Sequence, residues 1–224
     1  MALKDLLRFE NDAWQQGYTV VAGIDEAGRG PVAGPVTAAA VILPRETQVQ
    51  GLNDSKLLKP AVRESLAGIL QNSPNIISAV ESVSPAEIDQ LNILQATYLA
   101  MERALNSLAK QPDFVLVDGN SLPRINIPAK AVVKGDCRSA NIAAASILAK
   151  VTRDRMMDEA AADYPGYGFD KHKGYATADH IAALEQLGPC SLHRRSFSPV
   201  SRIINHSFYQ PELFPSKNGY TAKK

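Results

Sequence analysis

Ile24-Asp25-Glu26-Ala27-Gly28-Arg29-Gly30-Pro31-Val32-Ala33-Gly34-Pro35 is the stretch that decides how this chain folds. Upstream, Thr19 to Ile24 is apolar and β-branched, which predicts a buried strand ending at Asp25. Downstream, Val36 to Leu43 is apolar again and is closed by Pro44, which predicts a returning strand. The loop between them opens with two carboxylates and a Gly-Arg-Gly turn. Carboxylates at a strand end suit a hard divalent cation. Glycines let a backbone approach a ligand closely, and the guanidinium fork of Arg29 suits phosphate. Gly28-x-Gly30-x-x-Ala33 also fits the dinucleotide fingerprint, but that motif opens a helix, and residues 36–43 read as a strand. Asp25 and Glu26 would also repel a pyrophosphate placed on those glycines.

Working outward, Pro60 to Leu70 has helical spacing with Pro at its start, and Asn75 to Val83 alternates like a strand. Ser84-Pro85-Ala86-Glu87 is a helix-start signal, and the helix is expected to run to about Ala109. Phe114 to Val117 predicts a short strand ending at Asp118-Gly119-Asn120. Ala131 to Lys134 predicts another, ending at Gly135-Asp136. An Ala-rich helix follows from Ser139 to Ala162, with Ala143, Ile147 and Val151 on its core face. A last helix spans Thr177 to Leu187. Strands alternating with helices predict an α/β layer fold, antiparallel at the first hairpin.

Three of these strands end in acid: Asp25-Glu26, Asp118 and Asp136. Strand ends of an open α/β sheet converge on one edge, where ligands bind. Four carboxylates gathered there without a counter-charge would be costly. A pair of Mg²⁺ or Mn²⁺ ions removes that cost, and two ions about 4 Å apart suit phosphodiester hydrolysis.

A chain of 224 residues can fill one core, or at most two small ones, and 45% hydrophobic with 21% charged residues is a soluble globular balance. The longest apolar run is about eight residues, too short to span a bilayer. Net charge is +1, but residues 165–224 hold eight Lys/Arg against four Asp/Glu. An acidic body with a basic last quarter suits a metal site beside a polyanion-binding surface. Cys137 and Cys190 form no metal-type spacing, which suits a reducing cytoplasm, and Cys137 reads as structural. His172, His180, His193 and His206 share no metal-ligand spacing and read as structural or surface residues. Residues 1–209 are expected to form one domain, and Gln210 to Lys224, rich in Pro, Ser, Lys and Gly, a mobile tail.

Several blocks together resemble one family. Gly23-Ile24-Asp25-Glu26-Ala27-Gly28-Arg29-Gly30-Pro31 is similar to the opening motif of bacterial ribonuclease HII, the type 2 ribonuclease H family. The resemblance continues through Leu52-Asn53-Asp54-Ser55-Lys56-Leu57-Leu58, Asp118-Gly119-Asn120, Val133-Lys134-Gly135-Asp136, residues 142–154, His172-Lys173-Gly174-Tyr175 and His193-Arg194-Arg195-Ser196-Phe197. The blocks keep the family's order and cover roughly residues 20–200.

The resemblance implies an RNase H-like fold, a mixed central sheet flanked by helices with a C-terminal helical segment. It implies a metal-dependent endoribonuclease that hydrolyses the RNA strand of RNA–DNA hybrids. It also implies cutting 5′ of ribonucleotides embedded in duplex DNA, leaving 5′-phosphate and 3′-hydroxyl ends. The family's four acids fall on Asp25, Glu26, Asp118 and Asp136, expected to hold two Mg²⁺ or Mn²⁺ ions. Its Gly-Arg-Gly loop falls on Gly28, Arg29 and Gly30, and its stacking tyrosine on Tyr175. Lys56, Lys173, Arg194 and Arg195 are candidate phosphate contacts, and the protein is expected to act as a cytoplasmic monomer.

Two departures bear on substrate affinity: Leu57, where the family often has Lys, and Asn141, where Ser is frequent. Two other readings stay open at this point. A DNA nuclease on the same fold would not discriminate a 2′-hydroxyl, and a non-catalytic nucleic-acid-binding module would not need four strand-end acids.

Overall fold

The computed structural model describes residues 6–46, 51–52 and 58–209. In chain order its elements begin with α1 (Arg8–Gln15), β1 (Val21–Ala27), β2 (Val36–Ile42), α2 (Pro60–Asn72) and β3 (Ile77–Val83). They continue with α3 (Pro85–Leu91), α4 (Ile93–Asn106), β4 (Phe114–Asp118), β5 (Ala129–Val132) and a 3₁₀ turn at Gly135–Cys137. The last are α5 (Ala140–Asp163), α6 (Phe169–His172), α7 (Ala178–Leu187) and α8 (Val200–Tyr209).

The five strands form one sheet in the order β3-β2-β1-β4-β5. β2 runs antiparallel to both β1 and β3, while β4 runs parallel to β1 and β5 parallel to β4. The predicted hairpin therefore forms, with Asp25 opposite Ala39 and Glu26 opposite Ala38. β1 extends to Ala27, so both acids lie inside the strand's last turn of pleat rather than just after it.

Every residue of β2 is buried, because both faces of the sheet are covered. Ala39 and Val41 point to one side, where they pack with α5 and α2. Ala38, Ala40 and Ile42 point to the other, where they meet α4. The alanine runs allow a close approach of helix and sheet. At Gly23 a Cβ would stand 2.3 Å from the backbone of Asn141 and Ile142 at the start of α5. Ala143, Ile147 and Val151 are buried there, as their spacing predicts.

Asn141 belongs to this packing. Its side chain donates to the Val21 carbonyl (2.8 Å) and accepts from the Leu43 N–H (3.2 Å). The Asn141 departure thus ties α5 to β1 and β2, and is not a substrate contact. Leu57 and Lys56 lie outside the described residues, as does the expected tail at 210–224.

The single helix expected over residues 84–109 is two. The Ser84–Glu87 capping box starts α3 as predicted. Asn92 then breaks the run at φ 69°, and its side-chain oxygen caps α4 by accepting from the N–H groups of Leu94 and Gln95. Asn tolerates this left-handed conformation because its short side chain bonds locally. Among the described residues, no helix is long and apolar enough to cross a membrane.

Candidate active site

β1 and β4 are neighbouring parallel strands, so their C-terminal ends present Asp25, Glu26 and Asp118 on one edge of the sheet. Asp25 is buried, and its carboxylate accepts from the Glu26 N–H at 2.7 Å. Burial raises its pKa well above the ordinary carboxylate value, and the like charges of Glu26 and Asp118 raise it further. The Glu26 N–H and the Ser146 hydroxyl partly offset this. Asp118 accepts from the Gly135 N–H at 2.6 Å, which draws the next segment into the site. β5 stops at Val132, short of its predicted end. Lys134 adopts φ 55°, and Asp136 sits buried in the 3₁₀ turn that follows.

The oxygen donors present fit a hard cation. Carboxylates whose charges oppose one another are stabilised by a divalent ion between them. Among the described residues no three His, Cys, Asp or Glu side chains are already drawn into a ligand set.

Asp25 and Glu26 open into a cleft of about 450 Å³, whose lining does not include Asp118 or Asp136. Its walls include Asp25, Glu26, the Gly28-Arg29-Gly30 loop and Tyr175, together with residues that the sequence analysis missed: Arg63, Ser146, Lys150 and Arg153. The missed signal was present, since 146, 150 and 153 recur at helical spacing as polar residues in an otherwise Ala-rich run. Arg29 stands half exposed at the cleft mouth and pairs with Glu26 at 3.3 Å.

The loop owes its shape to two buried arginines. Arg194 donates to the carbonyls of Gly28 (2.6 Å), Arg29 (3.1 Å), Gly34 (3.0 Å) and Pro35 (3.1 Å). Arg153 donates to the carbonyls of Ala33, Pro35 and Lys173. Burial, and the nearness of Arg153, lower the pKa of Arg194. Arg194 is therefore not a phosphate contact, and its fully buried side chain is spent on backbone carbonyls. Gly28 is needed where it stands: its φ is +98°, and a Cβ would meet Arg153 Nε at 2.1 Å.

Arg195 is exposed, and its N–H is anchored by Asp89 of α3 at 2.8 Å. Lys173 sits at φ 51°, its ammonium paired with Asp158. Tyr175 is 47% exposed beside the loop, and a Cβ on Gly30 would lie 3.6 Å from its ring. The structure therefore brings the glycine loop and Tyr175 into one cleft with Asp25 and Glu26.

Beneath Tyr175 lie His172, His180 and His193, packed against Phe169. Burial, then the neighbouring His180, push His193 down to about 4, and burial lowers His180 as well. By NMR, the His193 ring should stay neutral as the protein is acidified toward pH 4. A midpoint at the ordinary value of 6.5 would contradict its burial.

The chain matches the profile of the family described as Ribonuclease HII over residues 22–200. It is 52% identical over 202 residues to Ribonuclease HII of Chlamydia trachomatis serovar L2, covering 90% of this chain and 93% of that one. It is 50% identical over 196 residues to Ribonuclease HII of Chlamydia caviae, covering 88% and 92%. Among solved structures, ribonuclease H2 from Pyrococcus horikoshii superposes with a TM-score of 0.73 at 28% identity, covering 86% of this chain and all of that one.

Proposed function

The chain belongs to the ribonuclease HII family, and we propose that this ribonuclease H uses Asp25, Glu26, Asp118 and Asp136 to hold divalent cations and cuts 5′ of a ribonucleotide embedded in duplex DNA. Its fold is RNase H-like, and its reaction is the endonucleolytic hydrolysis of RNA in RNA–DNA hybrids. The observation that carries the finer reading is the convergence of acids from β1 and β4, where burial first, and then the charges of Glu26 and Asp118, raise the pKa of Asp25. Bound there, Mg²⁺ or Mn²⁺ would activate the attacking water and stabilise the leaving oxygen, giving 5′-phosphate and 3′-hydroxyl ends.

The chain's own residues do the selecting. The Gly28-Arg29-Gly30 loop carries no bulky side chain at either glycine, so its backbone can meet a 2′-hydroxyl, the group that separates RNA from DNA. Arg29 suits the neighbouring phosphate. Tyr175 offers a flat face to the adjoining deoxyribose. Lys150 and Arg63 line the same cleft and suit the backbone track, and exposed Arg195 suits the duplex beyond it.

The test is Mg²⁺-dependent cleavage of a duplex carrying one ribonucleotide, run beside an all-DNA duplex and a long RNA–DNA hybrid. Cleavage of the first and third but not the second supports the reading, and cleavage of all-DNA duplex removes it. Stacking on an aromatic side chain is worth about 1–3 kcal/mol, or roughly ten- to a hundredfold. Tyr175→Ala should therefore lose at least about tenfold on the single-ribonucleotide duplex and much less on the hybrid. Equal losses on both substrates would assign Tyr175 to general binding.

A further inference from the structure

The histidines under Tyr175 leave no ring nitrogen unused. His180 Nδ1 lies 2.8 Å from the Tyr175 carbonyl, which can only accept, so Nδ1 carries the proton. His193 Nδ1 lies 3.0 Å from the Cys190 N–H, which can only donate, so this nitrogen is bare. The two rings meet Nε2 to Nε2 at 3.1 Å, and with those tautomers His193 donates to His180. His172 closes the set: its Nε2 lies 2.7 Å from the Tyr167 carbonyl, its Nδ1 accepts from the Gly174 N–H, and its ring stacks on His180 at 4.2 Å.

We propose that this row of hydrogen bonds, Cys190 to His193 to His180 to the Tyr175 carbonyl, positions Tyr175 for substrate recognition. His180 and His193 are positioning residues and touch neither the cleft acids nor the substrate. The row, together with the Thr177 N–H that donates to the same carbonyl at 2.8 Å, fixes one side of the tyrosine's backbone. On the other side the Tyr175 N–H donates to the His172 carbonyl at 2.9 Å. The preceding Gly174 carbonyl accepts from Val32 at 2.9 Å and so binds this strap to the glycine loop. With the backbone held at both ends, the ring keeps its place beside Gly30.

Imidazole suits the task because each neutral ring supplies one donor and one acceptor at fixed separation. A second proton on either ring would set two donors face to face, at Cys190 or between the two Nε2 atoms. The groups facing the pair are His172, Tyr167 and Cys190, all uncharged in this arrangement.

This role rests on the reading of Tyr175 as the junction contact, so the test separates the two. The readout is the ratio of cleavage rates on the single-ribonucleotide duplex and on the long hybrid. His180→Phe keeps the ring's bulk and removes its donor, and should lower that ratio about as much as Tyr175→Ala does, roughly tenfold. His180→Asn returns an N–H donor near the Nδ1 position and should restore the ratio to within about twofold of wild type, since a neutral hydrogen bond is re-formed. Adding His180→Phe to Tyr175→Ala should lower the ratio no further, because the two act through one contact.

A wild-type ratio in folded His180→Phe, with Tyr175→Ala still lowering it, overturns the proposal and leaves the junction reading intact. An unchanged ratio in Tyr175→Ala overturns the junction reading and this role with it. If His180→Phe does not fold, His180→Asn decides alone: a ratio as low as that of Tyr175→Ala overturns the proposal. Independently of activity, His180 Nδ1–H and His193 Nε2–H should appear as slowly exchanging imidazole protons by NMR at neutral pH. Absence of the His180 signal would overturn the row itself.

Discussion

Asp118→Asn is expected to lower cleavage of the single-ribonucleotide duplex by on the order of a thousandfold in a protein that remains folded. Asp118 ends β4, and its Oδ1 accepts from the Gly135 N–H at 2.6 Å. The asparagine carbonyl keeps that bond, so the turn carrying Asp136 stays in place. What is lost is one negative charge beside Asp25. A loss of about 4 kcal/mol in transition-state stabilisation is within what metal-ion catalysis supplies and corresponds to three powers of ten.

Two readouts separate this from misfolding. Calorimetric titration with Mn²⁺ should show weaker binding. The metal-free melting temperature should stay the same or rise, because the variant relieves repulsion that raises the pKa of Asp25. Activity within tenfold of wild type in the folded variant would take Asp118 out of the site.

Those acids were legible because each closes an apolar run, and the parallel pairing of β4 with β1 carries them to one edge. The hairpin was legible for a similar reason: two apolar stretches flank a loop that cannot be helical. The break at Asn92 was not, since spacing stays helical across it and only a positive φ reveals the division. Arg194 was misread for a different reason. A basic residue next to Arg195 looks like a surface cation, and its partners are backbone carbonyls, which leave no mark on the sequence. The histidine row escaped for the same reason. His172, His180 and His193 have no regular spacing in the chain, and they meet only because α6, α7 and the following loop fold around Phe169.

That reassignment of Arg194 has a large expected consequence. Arg194→Ala should lower the melting temperature by roughly 10 °C and abolish most activity, whereas Arg195→Ala should change stability by less than about 0.5 kcal/mol. In the first variant the carbonyls of Gly28, Arg29, Gly34 and Pro35 lose their shared donor, and only Pro35 keeps another in Arg153. Each buried acceptor left unpaired costs about 1–3 kcal/mol. Relaxation of the loop toward water would reduce that sum to several kcal/mol, out of a total stability of about 5–15. The same relaxation would move the Gly28-Arg29-Gly30 backbone away from the acids, so activity falls even where the protein stays folded.

Arg194→Lys should rescue only part of this. A lysine ammonium presents three donors from one point and cannot span carbonyls that a planar fork reaches from both sides. Arg195→Ala should act on the substrate instead, flattening the fall of binding with rising salt by about one phosphate's share. The discriminating result is the opposite pairing. If Arg194→Ala melted like wild type and flattened the salt dependence, Arg194 would be reaching phosphate, and the loop would have to owe its shape to Arg153 alone.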